Sequence, residues 1–353
     1  MRSHQEESWA QGMETRKLRA GTGSLDVTVL GFGGGPLGNL NAPISEAESD
    51  ATLVAAWDAG IRMFDTAPYY GLGLSEERFG RVLSNYPREK FVLSTKIGRV
   101  LRDCRPDEVP PSAFLDTPAR TFDFDYSYEG VMRSHEASLK RMQVDRIDIL
   151  LVHDIDMPTH GSREASDARV RELFDLGGYR AIEELRAAGI VKSIGVGVNE
   201  WQACETLLGM GDFDCFLLAG RYTLLEQEAL DSFLPLCEAR GVDIILGGPF
   251  NSGILATGAI EGARYDYAPA PADIRARVAR LDAVCVSYGV KLIEAALQFP
   301  LGHPAVKTII PGANAPGQVE ANIRLLDAKI PPDLWVDLKS QGLIRREAPV
   351  PTN

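Results

Sequence analysis

Eight short apolar runs, each ending in polar residues or glycine and each followed by a helix-like stretch, constrain the fold of this chain more than any other feature. They occupy residues 27–32, 61–64, 91–96, 145–153, 191–198, 213–218, 242–246 and 306–310. Apolar runs of this length read as strands buried on both faces, the pattern of a parallel sheet. Between them the spacing turns helical. Leu53, Ala56 and Trp57 share one face of a helix that starts near Ser45 and stops at Gly60. Tyr179, Ile182, Leu185 and Ala188 repeat the pattern before Gly189. Eight β–α alternations predict an α/β fold, a (β/α)8 TIM barrel.

Such a barrel takes about 250 residues, so a 353-residue chain has length left for insertions and tails. Residues 17–35 predict a small hairpin at the N-terminal end and then the first barrel strand. Residues 98–126 and 154–175 are long insertions after the third and fourth strands, and the first of them reads as a loop over the barrel mouth. A helix over 332–341 is extra to the barrel. Residues 1–15 open on a polar stretch and are expected to be a disordered tail, with residues 16–353 forming a single domain.

In a parallel barrel the C-terminal ends of the strands face the active-site mouth. The second run, 61–64, delivers Asp65, with Tyr70 on the loop behind it; the third delivers Lys96 and the fourth His153. Any one of these reads equally as a cap, a wall residue or a snorkelling chain. Together, on three neighbouring strands, they make chemical sense. A phenol of pKa about 10 is a poor base near neutrality. A nearby ammonium favours phenolate, a carboxylate holds the ammonium, and a histidine can orient a substrate oxygen. That combination is a proton-transfer site for alcohol–carbonyl interconversion.

Other chemistries find little support. Gly33-Gly34-Gly35 follows a strand without either phosphate-loop spacing, and suits a tight turn or close passage beneath a ligand. His135, His153, His160 and His303 lack metal-ligand spacing, so no metal is expected. A net charge of −12 argues against nucleic acid and anionic membranes. Five scattered cysteines suit reduced thiols, and no run approaches the roughly 20 apolar residues of a membrane span. With no signal-peptide core at the N-terminus, these readings predict a cytoplasmic protein with a small-molecule substrate. Oligomeric state has no signature here.

With Lys96 and His153 at their strand ends, Asp65-Thr66-Ala67-x-x-Tyr70-Gly71 resembles the aldo-keto reductase superfamily, and the likeness runs from Lys17 to about Leu343. The resemblance implies that Tyr70 is the acid/base, Lys96 and Asp65 its tuning pair, and His153 the substrate-orienting residue. It also implies a nicotinamide cofactor across the barrel mouth. Asn199 would bind the carboxamide, although the family's preceding serine is missing and its glutamine after strand six falls at Ala219. Tyr222 matches a tyrosine three positions later. Gly248, Pro249, Phe250, Asn251 and Gly253 match the loop over the pyrophosphate. Pro311, Gly312, Ala313, Gln318 and Asn322 match the adenosine end, with Asn322 against adenine. NADP-specific relatives carry Lys and Arg at the positions of Gly312 and Gln318, so the resemblance implies a preference for NAD.

The runs around His153-Asp154, at 195–201, 218–225 and 247–255 are similar to one subgroup, the D-threo-aldose 1-dehydrogenases or L-fucose dehydrogenases, with pyridoxal 4-dehydrogenase nearby. This implies oxidation of an aldose at its anomeric carbon to a lactone, with Trp201, Arg221 and Phe250 as pocket neighbours. The alternatives are pyridoxal oxidation, general aldehyde or ketone reduction, and a non-catalytic, channel-associated β-subunit that binds cofactor.

Overall fold

The computed structural model describes residues 12–352. Eight strands form one sheet: β1 (Phe32–Gly33), β2 (Met63–Asp65), β3 (Val92–Ile97), β4 (Ile149–His153), β5 (Ser193–Val198), β6 (Cys215–Ala219), β7 (Asp243–Gly247) and β8 (Val306–Ile310). Their spatial order follows the chain, and every neighbouring pair is parallel. The sheet closes on itself, because parallel bridges join Leu30 to Ile309 and Gly33 to Gly312. Gly31 N donates to Ile309 O at 2.8 Å, and Ile309 N to Val29 O at 2.9 Å. The barrel is therefore as expected.

Side chains alternate inward and outward along each strand. Met63, Val92, Ile149, Leu151, Cys215, Leu217, Ile245 and Ile310 fill the interior; Phe64, Leu93, Leu150, Val152, Val196 and Leu246 pack under the surrounding helices. The first of those helices, Glu46–Asp58, starts at a reciprocal cap in which Ser45 and Glu48 bond each other's backbone N–H. The hairpin of Thr15–Ala20 and Gly23–Thr28 plugs the N-terminal end with Leu18, Leu25 and Val27.

Two boundaries differ from the sequence expectation. Val27 and Thr28 belong to the hairpin, pairing with Arg16 and Thr15, so the first barrel strand is shorter than 27–32. Thr28 turns its hydroxyl to the N–H groups of Arg62 and Met63, which ends the hairpin against β2. Space explains Gly31 just before β1: a Cβ there would stand 2.7 Å from Ile310 Cγ2. Of the tail expected over 1–15, residues 1–11 lie outside the described residues, and Thr15 is already in the hairpin. The insertion after β3 contains a two-stranded arm, Arg99–Asp103 with Arg120–Phe124, which stands beside the barrel mouth. The helix Pro332–Ser340 follows the barrel.

Candidate active site

Inward alternation explains why three polar side chains converge. Asp65 is two residues beyond Met63 in β2, Lys96 four beyond Val92 in β3, and His153 two beyond Leu151 in β4. Each is an inward position at or next to the C-terminal end of its strand, where the interior opens to the mouth. Lys96 Nζ donates to Asp65 Oδ2 and to Thr66 O, both at 2.8 Å. The same Nζ lies 4.9 Å from the centre of the Tyr70 ring. His153 meets that ring edge-on, with centroids 5.9 Å apart and planes at 86°.

Burial governs the electrostatics. It raises the Asp65 carboxyl, opposed by the Lys96 ammonium. It drives the His153 imidazole well below its usual value, helped by the positive charges of Lys96 and Arg99, so the ring is neutral. Its Nδ1 is buried with no hydrogen-bond partner among the described residues. Burial, and then the Asp65 and Asp154 carboxylates, hold the Tyr70 phenol well above 10.0. The sequence alone predicts the opposite, with Lys96 lowering it. The difference is physical: burial disfavours phenolate first, and the Asp65 carboxylate that holds Lys96, together with Asp154, puts negative charge beside the ring.

These four residues line one cavity of about 250 Å³. Its floor is small-residue backbone: Gly197, Ala219 and Gly247, with Leu217 beside them. Its rim carries Gly34, Asn199, Gly248 and Gly312. The residues fit a nicotinamide ring, with small residues below it and the Asn199 amide beside it. Beyond Gly312, the helix Pro316–Leu326 starts with no side-chain cap, with Pro316 first and the Gln318 N–H bonded to Ala315 O, so that the Gly317 N–H is the one suited to a phosphate. Gln318 accepts from Asn314 N at 2.9 Å in that turn, and Asn322 is buried one turn further on. Ala313 is buried, and Pro311 joins it to β8. After β7, Pro249 is buried and Phe250 half-buried against the core, Gly253 has a left-handed backbone, and Asn251 bonds Thr223 and Gly220.

Two residues expected at the site stand elsewhere, and a third stands at its edge. The Tyr222 ring is fully buried, against Phe299 at 5.4 Å and His303 at 5.3 Å, because its loop turns back into the helix layer. Trp201 opens the helix Trp201–Leu208 and packs on the outer core. Arg221 holds the rim rather than lining the cavity, donating to Asn199 O at 2.8 Å and to Asp266 Oδ1 at 2.9 Å.

Two polar side chains of the cavity, Tyr267 and Asp154, carry no site role in the sequence expectation. Tyr267 comes from the turn between the short strands Arg264–Tyr265 and Ala268–Pro269, and its hydroxyl accepts from Asn199 Nδ2 at 3.3 Å. Nothing in the sequence around it marks a site. Asp154 directly follows His153, and its adjacency to that strand end was the available signal.

The sequence model of the aldo/keto reductase family matches residues 29–341. The chain is 45% identical over 342 residues to pyridoxal 4-dehydrogenase of Microbacterium luteolum, covering 94% of this chain and 98% of that one. It is 37% identical over 338 residues to D-threo-aldose 1-dehydrogenase of a Pseudomonas species, covering 94% and 99%. An aldo-keto reductase from Bacillus halodurans, solved in its holo form, has the same fold, with a TM-score of 0.69 at 24% identity over 96% of this chain and 99% of that one. The chain belongs to the aldo/keto reductase family and is an oxidoreductase acting on CH–OH and carbonyl groups.

Proposed function

We propose that this enzyme oxidises a cyclic hemiacetal to its lactone with NAD, the substrate being an aldose of the L-fucose type in its ring form. The observation that carries the reading is the meeting of Tyr70, Lys96, Asp65 and His153 around one cavity beside a glycine-lined floor. The bound nicotinamide supplies the hydride acceptor. Asn199, Gly248 and the turn from Gly312 to Gln318 would hold the cofactor. His153, neutral and edge-on to Tyr70, offers a ring nitrogen to the reacting oxygen and fixes it against the phenol. Tyr70 exchanges the hydroxyl proton, and Lys96, locked by Asp65, keeps the ring in place. In the reducing direction the same protonated phenol donates to a carbonyl oxygen.

A second reading is oxidation of pyridoxal through its cyclic hemiacetal, supported by the 45% identity to a pyridoxal 4-dehydrogenase. One experiment separates the two. L-Fucose, related aldoses and pyridoxal are assayed with NAD and with NADP by absorbance of the reduced cofactor, and the product is identified as lactone or free acid. The aldose reading requires L-fucose to give the higher kcat/KM. Efficient turnover of pyridoxal without L-fucose makes the second reading the right one.

A further inference from the structure

Asp154 follows His153 directly, in a left-handed backbone conformation, φ 49°, that few residues other than glycine, asparagine and aspartate adopt easily. Its N–H donates to Gly197 O at 3.0 Å, so the backbone is tied to β5. One carboxylate oxygen, Oδ2, accepts from Arg99 Nη2 at 2.7 Å and from Arg99 Nε at 3.2 Å. The guanidinium is itself fixed. It is 6% exposed and lies over the rings of Tyr69 at 3.9 Å and of Phe122 and Phe124 at 4.6 Å. Three aromatic rings thus hold the planar cation, an arrangement that a lysine could not reproduce.

The other oxygen, Oδ1, accepts no hydrogen bond among the described residues. It stands 3.5 Å from His153 Nε2, and Asp154 lines the cavity with Tyr70, Lys96 and Asn199. A carboxylate with one oxygen anchored and the other free is a rigid acceptor. A hydroxyl on the carbon next to the reacting one would meet it.

We propose that Asp154, held by Arg99, is a specificity-determining residue that accepts a hydrogen bond from the substrate hydroxyl vicinal to the oxidised one. The inference rests on the aldose reading above. It selects ring-form aldoses with a free 2-hydroxyl over alcohols that lack one. Arg99 acts through Asp154 as its positioning residue, and the arm that carries it is thereby joined to substrate choice.

The test compares wild type, Asp154→Asn and Arg99→Lys on an aldose and its 2-deoxy counterpart, with NADH affinity measured by fluorescence. Asparagine tolerates the left-handed backbone, so the first variant keeps the chain path. Wild type is expected to favour the aldose by about 10- to 100-fold in kcat/KM, the worth of one hydrogen bond to a charged acceptor, mostly through KM. Asp154→Asn should remove most of that preference with NADH affinity unchanged, and Arg99→Lys should reduce it in part. Discrimination that survives Asp154→Asn overturns the inference while the aldose reading stands. If Asp154→Asn no longer binds NADH, Arg99→Lys decides, and unchanged discrimination there overturns it. A wild type inert towards every aldose overturns the aldose reading and this inference with it.

Discussion

Lys96 and Asp65 form an ion pair of 2.8 Å with side chains only 1% and 2% exposed, at the level where the barrel interior becomes the cavity. Two charges so deep are costly to desolvate, and each is tolerated because the other is there. Lys96→Met therefore strands a buried carboxylate. It should destabilise the fold by about 3–5 kcal/mol, while Lys96→Met with Asp65→Leu, which leaves no charge behind, should cost less. Chemical denaturation of the three proteins measures this. A double variant less stable than the single one would mean that the pair stabilises the barrel outright.

Tyr70→Phe removes the hydroxyl and nothing that the fold needs. The ring still packs against Phe114 and His153. Turnover should fall by roughly 10²–10⁴-fold, the usual contribution of a positioned acid/base, with NADH affinity unchanged. Near-normal kcat would transfer the role away from Tyr70, and Tyr69 would be examined next. Its ring, however, lies against Arg99.

The pH dependence follows from the direction of two shifts. The Tyr70 phenol ionises only well above 10.0, so phenolate is scarce at neutrality and grows with pH. Oxidation needs the proton acceptor, so its kcat/KM should climb through the alkaline range, by up to about tenfold per pH unit. Reduction needs the proton donor and should stay flat across the same range. His153 is held well below 6.5, so its protonation should leave no acid limb near that value. A plateau of the oxidation profile at or below pH 7 would contradict this account of the phenol.

The barrel and the convergence of Asp65, Lys96 and His153 were legible for one reason. Buried parallel strands are nearly all apolar, so a polar residue at the end of such a run stands out, and its inward parity can be counted. The loops offered no such rule. Tyr222 is three residues past β6, yet whether a loop turns towards the mouth or back into the helix layer depends on packing, here on Phe299 and His303. Arg99 and Asp154 are distant in the chain, and neither residue type announces a pairing. Their meeting depends on an arm whose aromatic residues fold over the guanidinium. Tyr267 reaches Asn199 only because Asp266 and Tyr267 both take left-handed backbone in a two-residue turn.

Cofactor choice gives the last prediction. No Lys or Arg lies between Gly312 and Gln318, and the Gln318 side chain is engaged with Asn314 N. A 2′-phosphate in this turn would lack charge-assisted hydrogen bonds of about 1.5–3 kcal/mol each. One missing contact is then about tenfold or more in affinity. Arg324 is the nearest cation along the helix, but it is mostly exposed and lies 3.7 Å from Glu320, two turns from the helix start. NAD should therefore bind wild type at least about tenfold more tightly than NADP. Gln318→Arg should narrow that gap by bringing a guanidinium to the first turn, with kcat for the hydride step unchanged because Tyr70 and its partners are not touched. Titrating both cofactors against both proteins decides it. Equal affinity of wild type for NAD and NADP would place the 2′-phosphate against another cation, and Gln318→Arg would then leave the ratio where it was.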